Sequence, residues 1–455
     1  MSGLEAIFKA YDIRGTVPDQ LDARLCRAIG VGFARFVKAG DRPATRVLIG
    51  RDMRPTGVEL AAAFAVGVRS EGLDVVHLGL VSTDLVYFAC GKMDAPGAMF
   101  TASHNPAQYN GMKLCLAGAR PIGLGTGLEV IQATAEGVLG APGPAAASGS
   151  GAETEVDLLD AFAEHVRSFA DTSLFRPLKV VADTANGMGG LIVPKVFESL
   201  PFDLEVMYGE LDGTFPNHPA DPIQPANQRD LMARVVAGGF DVGLAFDGDA
   251  DRVFLVDETG RGLSGSTTTA ILAAGALAKE PGGTILYNLI CSKAVPEVIA
   301  ERGGKPIRTR VGHSFIKQLM AETGAIFGGE HSAHYYFRDN YRADSGIIAS
   351  MMVLEQLCAA NVPLSVLRKP FERYEASGEI NTAVRDTAAV IEHVKVAYAA
   401  HEQDLLDGLT VDCGRWWFNL RPSNTEPLLR LNLEAPTRAE CDEHVAEVLG
   451  LITAG

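Results

Sequence analysis

The sequence predicts a multidomain α/β protein that ends in a smaller α+β domain. Three observations predict it. At 455 residues the chain is far longer than one hydrophobic core supports, which calls for three or four domains. Apolar, β-branched runs alternate with Ala-, Leu- and Val-rich stretches of helical spacing, the rhythm of βαβ units on a mostly parallel sheet. Towards the C-terminus the rhythm changes to closely spaced strand-like runs and one closing helix, the pattern of an antiparallel sheet in a small α+β domain.

In chain order, the strand patterns are RVLIGRD (46–52), DVVHLGL (74–80), GAMFTASHNP (97–106), LKVVADTANGMGG (178–190), FDVGLAFDGDADR (240–252) and GTILYNLICSK (283–293). Each stops abruptly in a polar or Gly-rich loop, and in such sheets the loops at the carboxyl ends of strands carry ligands. Helical spacing fills the gaps, as in GVELAAAFAVGVRSEG (57–72). The low-complexity stretch GAPGPAAASGSGAE (140–153) reads as a linker closing a first domain, 1–150. A second boundary falls at the turn in FLVDETGRG (254–262), giving domains 151–258 and 259–370, and a third near KPFERYEASGEI (369–380) opens the last domain, 371–455. There TVDCG, RWWFNLR and LLRLNLEA are the strands and TRAECDEHVAEVLGLI the helix.

Composition narrows the function. A formal net charge of −16 repels nucleic acid and anionic membrane, so neither is an expected partner, and an anionic ligand would need a local basic pocket. The 7 cysteines are odd in number and show no C-x-x-C spacing, as expected of a reduced cytoplasmic protein without structural zinc. MSGLEAIFKAYDIRG has no apolar signal core, and no apolar run reaches the ~18 residues of a membrane span.

Four loops carry chemistry. In DGDADR, Asp247, Asp249 and Asp251 alternate directly behind a buried strand pattern. In an extended turn they project to one side, and three converging carboxylates call for a hard divalent cation. The alternative is a solvated acidic turn. An EF-hand is excluded because its sixth position needs Gly, and here it is Arg252, between strand-like flanks. An aspartyl-phosphate phosphatase fits less well, since Asp251 stands where such sites have Thr or Val. TASHNP sets Ser103 beside His104 without a G-x-S-x-G elbow, so an acyl-transfer triad is poorly supported and an Asn-Pro turn is the plain alternative. RPSNTEP offers the fork of Arg421 with Ser423, Asn424 and Thr425, the equipment of a phosphate clamp, or else a hydrogen-bonded turn. In GGEHSAHYYF, Glu330, Ser332 and His334 alternate, so an extended segment would present them on one face to the hydroxyls of a sugar. A half-buried strand with a solvated face is the alternative, and zinc lacks a third ligand.

Together these loops resemble the α-D-phosphohexomutase family, the phosphomannomutases and phosphoglucomutases. The resemblance covers nearly the whole chain and keeps the motif order FKAYDIRG, TASHNP, DGDADR, GEHSAH, RPSNTEP. It implies four domains around a central cleft, three related α/β units and a smaller mobile lid. It implies that Ser103 carries the phosphoryl group and joins Asp247, Asp249 and Asp251 around Mg²⁺. Tyr11, Arg14, Lys113 and His313 match cleft residues, and His104 and Arg252 flank the transferring group. Glu330, Ser332 and His334 match the sugar contacts, and Arg421, Ser423, Asn424 and Thr425 the distal phosphate clamp. Ala333 stands where many members have Gly, and Ile290 where members acting on both mannose and glucose phosphates often have Lys, with Lys293 three residues on. The implied reaction interconverts mannose 1-phosphate and mannose 6-phosphate, with glucose phosphates second, through phospho-Ser103 and a hexose 1,6-bisphosphate that also serves as activator. Arg14, Lys113 and His313 are the candidates for the general base. A phosphoglucosamine mutase, a metal-dependent sugar phosphatase and a non-catalytic sugar-phosphate binder are the rivals.

Overall fold

A computed structural model describes residues 4–141, 151–422 and 428–454, with only the backbone of His313. The first unit contains β1 (Ile13–Thr16), α1 (Ala23–Ala39), β2 (Arg46–Arg51), α2 (Gly57–Ser70), β3 (Asp74–Leu80), α3 (Thr83–Lys92), β4 (Gly97–Phe100), β5 (Tyr109–Leu116), β6 (Arg120–Pro121), α4 (Leu128–Gly140) and β7 (Glu153–Glu155). The second contains α5 (Leu159–Arg167), β8 (Leu178–Asp183), α6 (Gly189–Phe197), β9 (Phe202–Met207), α7 (Arg229–Gly238), β10 (Val242–Phe246) and β11 (Val253–Asp257). The third contains α8 (Gly265–Lys279), β12 (Thr284–Asn288), α9 (Ala294–Glu301), β13 (Lys305–Thr309), α10 (His313–Thr323), β14 (Phe327–Gly329), β15 (Tyr335–Phe337), α11 (Gly346–Ala360) and α12 (Leu364–Leu367). The last contains β16 (Glu375–Ala376), β17 (Ile380–Ala383), α13 (Thr387–Ala397), β18 (Glu402–Asp404), β19 (Leu409–Asp412), β20 (Trp417–Pro422), β21 (Leu428–Ala435) and α14 (Arg438–Ala454).

One topology is used three times. The orders β3-β2-β4-β5, β9-β8-β10-β11 and β13-β12-β14-β15 are the same, second-first-third-fourth in chain order. In each set the first three strands run parallel and the fourth returns antiparallel to the third. The first sheet also takes β1 on its antiparallel edge and β7 beside β3, so it extends past the boundary expected at 150. The last sheet is antiparallel throughout, as its sequence pattern predicts.

The strands at the sheet centres are apolar on both sides because both faces are covered. Val47 and Ile49 of β2 face the core of the first unit, whereas Leu48 faces a second core shared with the next two units. Helices α8 and α11 are buried almost all round inside that shared core, and each starts at a serine cap, Ser264 and Ser345. The last unit has a core of its own, around Val394, Phe418 and Leu431. Its bonds to the third unit include the Lys293 amide donating to Glu434 (3.0 Å), Lys293 Nζ bound to Asp412 (3.2 Å), the Val311 amide donating to Asp407 (3.3 Å) and an Arg308–Asp404 ion pair. Among the described residues no single helix is long and apolar enough to cross a membrane.

Candidate active site

The three turns that link each third strand to its antiparallel partner meet at one point. The β4–β5 turn carries Ser103, the β10–β11 turn the aspartates, and the β14–β15 turn Glu330 to His334. Ser103 is buried and sits in the left-handed region, with φ 48°, an unfavourable conformation for a residue with a Cβ. Its amide donates to Thr101 Oγ1 (2.8 Å), and its Oγ donates to Asp247 Oδ2 at 2.8 Å. His104 Nδ1 lies 3.2 Å from the same Oγ. Burial, with the charges of Arg252 and Arg14, holds His104 well below the usual imidazole range, so its ring is neutral.

The turn that holds the aspartates passes close under the serine. A Cβ on Gly248 would come within 2.6 Å of the Ser103 carbonyl oxygen, so only glycine fits between Asp247 and Asp249. Ala250 takes a left-handed φ of 62°, so the turn is tighter than the extended form expected, and the carboxylates still converge. Ligand atoms of Asp247, Asp249 and Asp251 all lie within 4.8 Å of one another, and all three side chains are buried. Lys113 Nζ bridges Asp249 (2.7 Å) and Asp251 (2.5 Å), Thr83 donates to Asp249 (2.6 Å), and Arg252 Nε donates to Asp247 (3.0 Å).

Three carboxylates therefore face two cations. Burial, with Asp251 and Asp249 nearby, outweighs the Arg252 charge and pushes Asp247 up to about 8. Burial raises Asp249 too, but the Lys113 charge and hydrogen bond reverse it and hold that carboxyl well below the usual range. One oxygen of Asp249 and one of Asp251 are buried with no hydrogen-bond partner. A hard divalent cation satisfies both oxygens and the excess charge, so the residues present fit a metal.

Arg54, which the motif reading missed, organises the serine turn. It is fully buried, pairs with Asp52 (3.2 Å), and donates to the carbonyls of Ser103 (2.8 Å), Asn105 (2.7 Å), Pro106 (2.8 Å) and Tyr109 (2.9 Å). The available signal was the polar pair Arg51–Asp52 closing an apolar strand, with a second Arg two residues on.

The segment carrying Glu330, Ser332 and His334 is a hairpin turn, not the extended run expected. The Ala333 amide donates to Glu330 O (3.0 Å), and Ala333 is left-handed at φ 66°. The three side chains therefore do not line one strand face. The Glu330 carboxylate is buried, accepting from Tyr336 (2.7 Å), Asn288 (3.2 Å) and the Gly312 amide (3.2 Å). His334 turns the other way, bonding Asp344 at 2.8 Å with Asp251 3.9 Å away, while its backbone bridges to Arg252. Burial alone would lower His334, yet Asp251 and Asp344 raise it above the ordinary value. Ser332 is half-buried at the tip.

At the first-unit wall, Arg14 donates to Asn105 (2.7 Å) in the serine turn, and Tyr11 donates to Val311 O (3.3 Å), beside the start of α10 where His313 lies. Arg421 stands on β20 near two carboxylates, each 3.8 Å off, Glu379 and Asp407. Ser423, Asn424 and Thr425 lie outside the described residues. Lys293 is bound to Asp412 and to the Gly414 carbonyl of the last unit.

A buried hydroxyl on a cluster of carboxylates and cations has the equipment that phosphoryl transfer uses. Models of the phosphoglucomutase/phosphomannomutase family match the chain along nearly its whole length: alpha/beta/alpha domain I at residues 5–137, domain II at 158–261, domain III at 264–374 and the C-terminal domain at 379–451. The chain is 41% identical over 433 residues to phosphohexose mutases of Xanthomonas campestris, covering 94% of each chain. It is 38% identical over 437 residues to a phosphomannomutase of Escherichia coli, again over 94% of each. A crystal structure of a phosphoglucomutase/phosphomannomutase family protein from Burkholderia thailandensis superposes with a TM-score of 0.89 at 31% identity, covering 99% of this chain and 98% of the other. The chain belongs to the phosphoglucomutase/phosphomannomutase family. It is a phosphohexomutase, an isomerase that transfers a phosphoryl group within one hexose.

Proposed function

We propose that the enzyme interconverts mannose 1-phosphate and mannose 6-phosphate, with glucose phosphates as second substrates, through phospho-Ser103 and a hexose 1,6-bisphosphate, in the cytoplasm. The observation that carries this reading is the 2.8 Å contact between Ser103 Oγ and Asp247 inside the carboxylate cluster. Asp247, Asp249 and Asp251 would hold Mg²⁺, which, when bound, withdraws charge from the phosphoryl oxygens. Arg252 and Lys113 supply the fixed positive charge around the transferring group, and Arg14 steadies the serine turn through Asn105. Glu330, Ser332 and His334 meet the sugar hydroxyls, Tyr11 and His313 line the cleft, and Arg421 with Ser423, Asn424 and Thr425 grips the phosphate that is not reacting.

Proton transfer then divides by charge. Lys113, held as an ammonium by two aspartates, is suited to neutralise charge, while the neutral His104 can accept a proton beside Ser103. His104 thus joins Arg14 and His313 as a candidate acceptor, while Lys113 stays protonated. Mannose leads because the E. coli relative is named a phosphomannomutase, and the Xanthomonas name keeps the wider range. The functional units on this reading are those expected at 1–150, 151–258, 259–370 and 371–455, with the first carried on past its boundary through β7 (Glu153–Glu155).

The test pairs two measurements on purified protein. Intact mass should reveal a phosphorylated fraction that a hexose 1,6-bisphosphate increases and that Ser103→Ala lacks. Coupled assays with mannose, glucose and glucosamine 1-phosphates should rank mannose first, with little inorganic phosphate released. Full turnover by Ser103→Ala rejects the phosphoserine, and a glucosamine preference rejects the mannose assignment.

A further inference from the structure

Adjoining the catalytic cleft, with Tyr11 at the border between the two, the first and third units enclose a groove of about 840 Å³. One wall is the chain around β6, residues 116–126, and the other is the face of α10 with Tyr341 and Arg342. Neither Ser103 nor any of the three aspartates lines it. Four cations do, Arg120, Arg310, Lys317 and Arg342, and no acidic side chain is among the described lining residues. In a chain of net charge −16 that is a concentrated reversal of sign. Only Lys317 has a carboxylate partner, Asp344 at 2.9 Å; among the described residues Arg120, Arg310 and Arg342 form no ion pair.

The remaining lining is mainly apolar and aromatic, interrupted by the polar side chains of Thr126, Ser314 and Gln318. Phe315 lies under the Arg310 guanidinium at 4.9 Å and packs edge-on to Tyr11 at 6.0 Å, and Tyr341 closes the far side. Tyr341 and Arg342 are consecutive left-handed residues, φ 54° and 62°, a strained turn of the kind that persists at ligand sites. Cations set against aromatic faces accommodate an anion joined to a flat ring, and the volume is that of a small-ligand pocket.

We propose that this groove is a second ligand site, for a small molecule that carries a phosphate and a flat aromatic ring. Its occupancy is felt at the catalytic site through a short chain of contacts. Lys317 pairs with Asp344, and Asp344 bonds His334 at 2.8 Å. The ligand also ties α10 to the β6 wall, and with it the third unit to the first.

The test is calorimetric titration of the full chain at low salt, with the catalytic cleft saturated by whichever hexose phosphate it turns over. The probes are adenosine monophosphate, inorganic phosphate and adenosine. The nucleotide should bind one per chain, more tightly than either fragment. The double variant Arg120→Gln, Arg342→Gln should weaken it at least about tenfold, with melting temperature and basal turnover unchanged. Absence of nucleotide binding, unchanged affinity in the double variant, or displacement by the hexose phosphate overturns the second site. Equal affinity for phosphate and nucleotide overturns the aromatic part. Binding is read without mutase activity, so a failure here is separable from a failure of the hexose assignment.

Discussion

Arg54 carries a large share of the site's order although it touches no reacting atom. Its donors hold four carbonyls of the serine turn, of which that of Pro106 also accepts from the Tyr109 amide, and Asp52 balances its charge. Arg54→Met should destabilise the protein by about 3–5 kcal/mol in denaturant unfolding, because it strands Asp52 as well as the carbonyls. Adding Asp52→Asn should recover part of that loss, and equal destabilisation of single and double variants would show that the pair is not the cause. Asp249→Asn should lower Mg²⁺ affinity by about 10- to 100-fold or more in a metal titration and lower the melting temperature by a few degrees, since it breaks the Lys113 ion pair that holds this carboxylate charged. Unaltered metal affinity would remove Asp249 from the ligand set. The aspartates were legible in the sequence because their spacing states their chemistry. Arg54 was not, because a buried cation in a structural role is signalled only by the carbonyls that surround it, and those come from residues about fifty positions away.

At the level of elements, strand runs and helices followed from apolar periodicity, including β2, β3, β8, β10, α2 and the antiparallel C-terminal sheet. The shape of the turns did not. Alternation at Glu330, Ser332 and His334 suggested an extended face, whereas the left-handed Ala333 folds the segment back into a hairpin, a choice that a non-glycine sequence conceals. Helix α3 makes a testable case of burial at an element's start. Asp84 lies in its first turn, fully buried, accepting from Ser345 (2.6 Å) and bonded to the capping Ser82. Burial pushes Asp84 up to about 7, against the lowering effect of both serines. The folded state therefore holds this proton to a higher pH than the unfolded chain does. Its contribution to stability is full below about pH 4 and is lost as pH rises through about 7, a difference of at most about 4 kcal/mol. Asp84→Asn should flatten that decline in unfolding midpoints taken between pH 5 and 8. A variant whose pH profile parallels the wild type would assign the decline to other groups.

At the scale of the whole molecule, three units share cores while the fourth keeps its own and meets the third largely through charged contacts. Such a joint is expected to open and close, and to loosen as salt screens it. Scattering should record compaction when a hexose phosphate binds, less so at high ionic strength. Arg421, near carboxylates at 3.8 Å, is the side chain through which phosphate would draw the fourth unit inward. Arg421→Lys forfeits a forked, charge-assisted contact of about 1.5–3 kcal/mol and should raise the Michaelis constant by about ten- to a hundredfold. An unchanged constant, with no ligand-dependent compaction, would make the fourth unit a fixed wall. The repeated second-first-third-fourth sheet has a historical consequence. Equivalent turns of three like units touch at a single point, where Ser103 meets Asp247 and Arg252 bridges to His334. A lone ancestral unit that assembled as a ring of three would already have gathered three identical turns there. Joining such copies into one gene would free each turn to take different residues, so the serine, the three aspartates and the Glu330–His334 hairpin can differ while the scaffold that bears them keeps its repeated strand order.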